Sequence, residues 1–217
     1  MASIARYNNS VSVCVACLAV GSIAFLHFSQ IAQAENANAA CSAVGDVCPD
    51  GSIFVGASPG DGRPMYLAAS DGEGYDTSMG STWGPRDYSA PIPLCEDEKA
   101  TGESCANGKS NVGLFLDLNA KLRENNGGYD EYQAAMHCEQ LIAHDHDDWY
   151  LPARDELYAV FKIAGLAERA DMIGSYFWTS SLMSPAHRWA VHFDEAAGDI
   201  LSAYAAGDMR VRCVRTD

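Results

Sequence analysis

Positive charge is the scarcest thing in this chain. Its 217 residues hold 14 lysines and arginines against 29 aspartates and glutamates, a formal net charge of −15. A surface of that sign repels nucleic acid and anionic lipid, so functions built on a basic patch are excluded. Water, divalent cations or basic partners suit it, and it reads first as the solvated surface of an exported protein. Long apolar runs are scarce as well: residues 11–28 form one, and no span is expected beyond it. There is no internal repeat, no H-E-x-x-H pair and no EF-hand loop. Nor does a C-x-x-C pair occur outside that apolar run, which argues against a cysteine zinc site.

What is present begins with the leader. Arg6 precedes the apolar run, and Ala32-Gln33-Ala34 follows it as an A-x-A cleavage site ahead of Glu35. Residues 1–34 therefore read as a signal peptide, with an uncleaved anchor helix as the alternative. Cys14 and Cys17 fall inside the apolar run, where a redox motif has no folded context. Residues 35–43 read as a linker, and 44–217 as one domain with a Gly/Ser/Asp-rich insertion at about 70–110. An extracytoplasmic location follows, whether periplasm, cell surface or medium.

Six cysteines lie beyond the leader: Cys41, Cys48, Cys95, Cys105, Cys138 and Cys213. An even set in an exported chain implies disulfides, though six admit many connectivities. Cys41 with Cys48 and Cys95 with Cys105 would close short loops. Cys138 with Cys213 would then join a helix to the last strand.

The hydrophobic pattern is that of an α+β chain. Residues 52–57 and 64–69 flank a turn cluster and predict a hairpin. Residues 112–124, 129–143 and 154–164 carry helix-like spacing, weakest in the first. Residues 176–179, 189–193, 200–204 and 210–214 predict a β-meander.

Chemistry-bearing motifs are few. Gly56-Ala57-Ser58-Pro59-Gly60 matches the nucleophile elbow in form, but Pro59 has no N–H to offer an oxyanion. HDHDDWYLPARDEL, residues 144–157, divides in two. In its second half Pro152 holds Leu151 extended and opens a helix, and Glu156 stands where a capping-box carboxylate reaches back. In its first half, His144, His146 and Asp147 are metal-ligand types, suited to zinc, while Asp71, Glu73 and Asp76 suit calcium. Neither matches an established spacing, so a solvated turn is the first reading, and no cofactor is expected. A metal-assisted enzyme centred on His144, His146 and Asp147 is the rival. The loops between Trp178 and Arg210 offer the candidate ligand residues Arg188, Trp189, Asp194, Glu195, Tyr204 and Asp208. The rings of Trp189 and Tyr204 could stack on a sugar or join the core.

Five motifs in order carry a family resemblance: GDVCPDGSIFVG at 45–56, Cys138-x-x-Leu141, DWYLPARDEL at 148–157, FWTSS at 177–181 and VRCVR at 211–215. Together they resemble the C-terminal domain family of the Legionella collagen-like adhesin, over roughly residues 44–215. The resemblance implies a C-type-lectin-like fold, with two helices packed on a small twisted antiparallel sheet and the chain ends close together. It also supports the Cys138–Cys213 pairing. It implies a bacterial binding or adhesion module facing a surface glycan or a protein, rather than an enzyme, with a structural part in a surface assembly as a further reading. The chain departs from the lectin branch of that fold in lacking its E-P-N and W-N-D type calcium motifs. It also lacks a G-X-Y tract and any cysteine left over for catalysis.

Overall fold

In the computed structural model the structure describes residues 41–71, 81–85, 93–126, 132–194 and 198–217. The leader with its cleavage site, most of the linker, and the candidates Glu73, Asp76 and Glu195 lie outside the described residues. Every described residue belongs to one unit, Ala40–Asp217.

The N-terminal hairpin forms where the alternation predicts it. Strand β1 (Ile53–Ala57) pairs antiparallel with β2 (Pro64–Leu67), with a bulge between Phe54 and Gly56. Ile53, Val55, Met65 and Leu67 point inward and are buried, the period of two that one covered face requires. Strand β8 (Val214–Thr216) adds to the other side of β2, so the last described strand lies beside the first hairpin.

The middle of the chain supplies β3 (Ser81–Thr82) and five helices among the described residues: α1 (Glu103–Ala106), α2 (Gly108–Asn126), α3 (Gln133–Glu139), α4 (Arg154–Phe161) and α5 (Leu166–Arg169). Helix α2 starts before the apolar period that predicts it, because Asn107 Oδ1 accepts the Ser110 N–H and caps its first turn. Helix α3 is shorter than expected. It ends at Glu139, and the chain then turns sharply at His144 and Asp145, both with positive φ. Trp83 shows why the 70–110 insertion is not free: its N–H donates to Ala205 O and its indole Nε1 to Thr179 O. Its ring meets Phe115 and Tyr132 edge-on.

The C-terminal meander is β4 (Ser175–Leu182), β5 (His187–Phe193) and β6 (Asp199–Tyr204), antiparallel in that order. Residues 177–182 of β4 and 188–191 of β5 are buried without alternation, as befits strands covered on both faces. Phe193 packs on Phe161 of α4 on one side, and Arg188 on Trp83 on the other. The fourth predicted strand does not extend the meander. Of residues 210–214 only Val214 lies in a strand, β8, which joins the hairpin sheet; Arg210 makes a single bridge to Phe177, and the two-residue β7 (Asp208–Met209) just before it pairs with β3.

Three disulfides join Cys41 to Cys48, Cys95 to Cys105, and Cys138 to Cys213. The last ties α3 to the residue before β8. The architecture is thus α+β, with small antiparallel sheets, five helices and three crosslinks among the described residues.

Candidate functional site

Residues 148–157 are the knot of the fold. Trp149 Nε1 donates to Ala143 O and His146 O. Tyr150 exchanges both backbone hydrogen bonds with Val214. Pro152 O accepts from Ser180 N, and Arg154 N donates to Ser181 Oγ. Arg154 then spends its guanidinium on Asp97 O, Ala100 O and the Asp155 carboxylate.

Glu156 lies at the centre and is 1% exposed. Its Oε2 accepts from Ala153 N at 2.8 Å, the expected half of a capping box, and from Gly108 N at 3.0 Å. Ala153 has no acceptor to return the bond. Oε1 accepts from Ser58 Oγ and Tyr150 Oη, each at 3.0 Å. One carboxyl thus faces the N-termini of α2 and α4 together, where helix dipoles favour negative charge. Burial nonetheless pushes it up to about 7, against the downward pull of these four donors. Burial and the neighbouring Glu156 also raise the Tyr150 phenol. The close approach explains Gly108: a Cβ there would stand 2.6 Å from Ala153 N, Leu151 O and Glu156 Oε2. Ser58, the formal nucleophile of the elbow motif, is a hydroxyl donor to this knot.

His144, Asp145 and their neighbours make a tight turn. Ala143 and His146 exchange backbone hydrogen bonds across two residues with φ of 57° and 61°, the geometry of a type I′ turn. His144 Nδ1–H donates to Asp50 O, which leaves Nε2 to accept the Ala69 N–H. Both ring nitrogens are therefore engaged. His146 Nε2 lies 3.3 Å from Asp50 Oδ2, and Asp147 is exposed. Burial acts to raise the Asp50 carboxyl, but the Ser52 hydroxyl and N–H, Arg215 and His146 together hold it below its ordinary value. Among the described residues no group of three or more His, Cys, Asp or Glu could hold a metal ion. The rival zinc set at His144, His146 and Asp147 is not among such groups, and His144 serves instead as a pin between two loops. Of the calcium candidates only Asp71 lies within the described residues; it is buried and its carboxylate binds Arg212 Nε at 2.6 Å and Arg210 Nε at 2.8 Å.

Among the described residues, the candidate ligand residues do not converge. Arg188 and Trp189 are neighbours on β5 and point to opposite faces. Trp189 is buried on the Cys95–Cys105 disulfide, with its Nε1 bound to Cys95 O and the Arg154 guanidinium over its ring. It is core, closed to a sugar. Tyr204, 46% exposed, pairs with His187 at the start of β5, whereas Asp194 follows the end of that strand. At ~3.3 Å per residue they lie about 20 Å apart. Asp208 is exposed in β7, opposite Thr82.

Arg188 is the exception to this dispersal. It is 0% exposed. Its Nη1 donates to Ser184 O, Pro185 O and His187 O, the carbonyls of the β4–β5 turn, and its guanidinium carbon sits 4.3 Å from the centre of the Trp83 ring. Its Nε and Nη2 have no hydrogen-bond partner among the described residues. Burial lowers its pKa to about 10. Trp83 was the partner that sequence reading missed. It is 105 residues away, and its only local signal is a large aromatic within a Gly-rich stretch.

The order of these elements, from the insertion through the knot to the terminal strand, is also that of a known family. A model of the Lcl C-terminal domain matches residues 75–215. The chain belongs to the Lcl C-terminal domain family. The match takes in the knot, the meander and two of the three disulfides of this Lcl C-terminal domain, and leaves the 45–56 motif and the first hairpin outside it. No curated protein matches the chain. Among solved structures, a fimbrial protein from Bacteroides ovatus is similar at 13% identity and a TM-score of 0.46, over 70% of this chain and 35% of that one. The Lcl C-terminal domain chain thus spans about a third of that protein's length. Among its own described residues, no helix is long and apolar enough to cross a membrane.

Proposed function

We propose that this chain is an extracytoplasmic bacterial adhesion module that binds an external ligand, a glycan or a protein, and carries out no catalysis. Membership of an adhesin-related domain family is the observation that carries the reading. Three disulfides support it, since such crosslinks persist outside the reducing cytoplasm. In this reading residues 1–34 are a cleaved signal and 35–43 a linker. Residues 44–217 are then one domain of C-type-lectin-like architecture, with the 70–110 segment as its insertion. The ligand surface lies at the end of the meander that carries the β4–β5 turn, where Tyr204 and its cross-strand partner His187 are exposed, with no calcium involved. Trp189, which is core, and Asp194, beyond the far end of β5, stand outside that surface.

The exported protein, immobilised and probed with a glycan array and a panel of extracellular matrix proteins, tests this. Saturable binding to one of these that persists in EDTA is expected. Binding that needs calcium would overturn the metal-free assignment. A blank on both panels would overturn the adhesion reading itself.

A further inference from the structure

A cleft of about 490 Å³ lies where α4 ends and α5 begins, a size typical of sites that take a small group. Phe161, Ile163, Ala167 and Ile173 give it apolar walls, and Glu168 and Asp194 add two carboxylates. It is open to solvent: Ala164 and Gly165, which also line it, are exposed and put no large side chain at its mouth. Asp194 stands about 20 Å from Tyr204 by strand length, so the cleft is separate from the surface at the β4–β5 turn.

The walls are held from behind. Phe161 stacks on Tyr158 and meets Phe193 edge-on. The backbone of Gly198 lies so close to the Phe161 ring that a Cβ there would stand 2.4 Å from it. Ile163 packs toward Gly45, and Gly165, with φ of 67°, turns the chain sharply between the two helices. Leu166 and Ala167 are buried beneath. A cleft built this way needs little rearrangement to receive a ligand.

Its chemistry is one-sided. No lysine or arginine is among its lining residues. The two nearest in sequence are turned elsewhere: Lys162 Nζ sits 4.5 Å from the centre of the Tyr158 ring, and Arg169 Nε donates to Gly165 O. A purely apolar group placed here would desolvate carboxylates without replacing their water, and an anion would be repelled. A long side chain with an apolar stem and a cationic head meets both demands. The net charge of −15 draws such a partner in from a distance. The unobstructed mouth leaves the backbone of that residue outside, which suits an extended peptide.

We propose that this cleft is a docking site for a lysine or arginine side chain of a basic partner protein, with the stem against Phe161, Ile163 and Ile173 and the head at Glu168 and Asp194. It is a second site, for a partner of opposite charge, and does not depend on what the β4–β5 end binds.

Titration of the ¹⁵N-labelled exported protein tests it. The probes are Nα-acetyl-L-lysine methylamide, its norleucine counterpart (the stem without the charge) and methylammonium chloride (the charge without the stem). The amides of Ile163, Ala164, Gly165, Glu168 and Ile173 are expected to shift saturably with the lysine probe, and at least threefold more weakly with either of the others. Glu168→Gln, at an exposed position, is expected to weaken lysine binding at least threefold. Shifts that do not saturate, or that fall outside the cleft, overturn the site. Norleucine binding as well as lysine overturns the role of charge, methylammonium doing so overturns the role of the apolar walls, and either result refutes the proposal. Unchanged affinity in Glu168→Gln refutes it too. If that variant does not fold, Asp194→Asn replaces it under the same criterion.

Discussion

Glu156 joins three segments, at Ser58, Gly108 and 150–156, through one carboxyl, and its protonation sets how that junction responds to pH. Its ordinary value is 4.5 and burial pushes it up to about 7. Between those values the native state holds a proton that the unfolded chain has released. The stability it contributes is therefore complete below about pH 4.5 and is lost as pH rises through about 7. Glu156→Gln can turn its carbonyl to the two N–H donors and its NH₂ to the Ser58 and Tyr150 hydroxyls, which can accept. The variant is expected to fold and to lack this slope. Urea midpoints of both proteins from pH 4.5 to 7.5 should diverge by up to about 3 kcal/mol, on the order of two pKa units; parallel curves would refute the assignment. Glu156→Ala strands buried donors and should cost about 3 kcal/mol or more at any pH in that range. Asp71 is a second residue of this kind. Asp71→Asn removes the charge shared by Arg210 and Arg212 and should cost about 3–5 kcal/mol in chemical denaturation. A loss under 1 kcal/mol would show that the arginines find other partners.

At the scale of elements, the His144–Asp145 turn places two non-glycine residues in left-handed conformations. His144 is held there by Asp50 and Ala69, while Asp145 is exposed. Glycine is the residue that the second position of a type I′ turn prefers. Asp145→Gly should therefore raise stability by about 0.5–1 kcal/mol, and a lower denaturation midpoint would contradict that geometry. Elements with local causes were legible in the sequence. The first hairpin follows from alternation on either side of a turn, the meander from its spaced turns, and α4 from Pro152 and Glu156. Elements made by distant partners were not. Strands β3 and β7 have two residues each and exist only as a pair. The helical period of 129–143 overran α3 because the turn that stops the chain depends on pins from loops far away. The site was less legible still. Arg188 and Trp189 look alike as surface candidates, yet one strand sends them to opposite faces. The feature that singles out Arg188 is a tryptophan from another part of the chain.

For the whole molecule, the crosslinks divide the work unequally. Cys138–Cys213 spans 75 residues and Cys41–Cys48 only 7. In the chain-entropy description the first should contribute about 4 kcal/mol and the second about 2 kcal/mol. Removing each pair as serine or alanine double variants and comparing thermal midpoints checks that order; an equal or greater loss from Cys41–Cys48 would reverse it. The pairing of β8 with β2 has a consequence of another kind. Tyr66 and Asp217, joined by a hydrogen bond across this seam, are 151 positions apart. A chain synthesised from its N-terminus leaves that edge of β2 open until residues 214–216 have emerged. The hairpin, the knot through Tyr150 and Val214, and the Cys138 crosslink all wait for the same few residues around 213–216. Hairpin sheet, knot and crosslink are therefore coupled through one short stretch, so that displacing residues 213–216 would loosen all three at once.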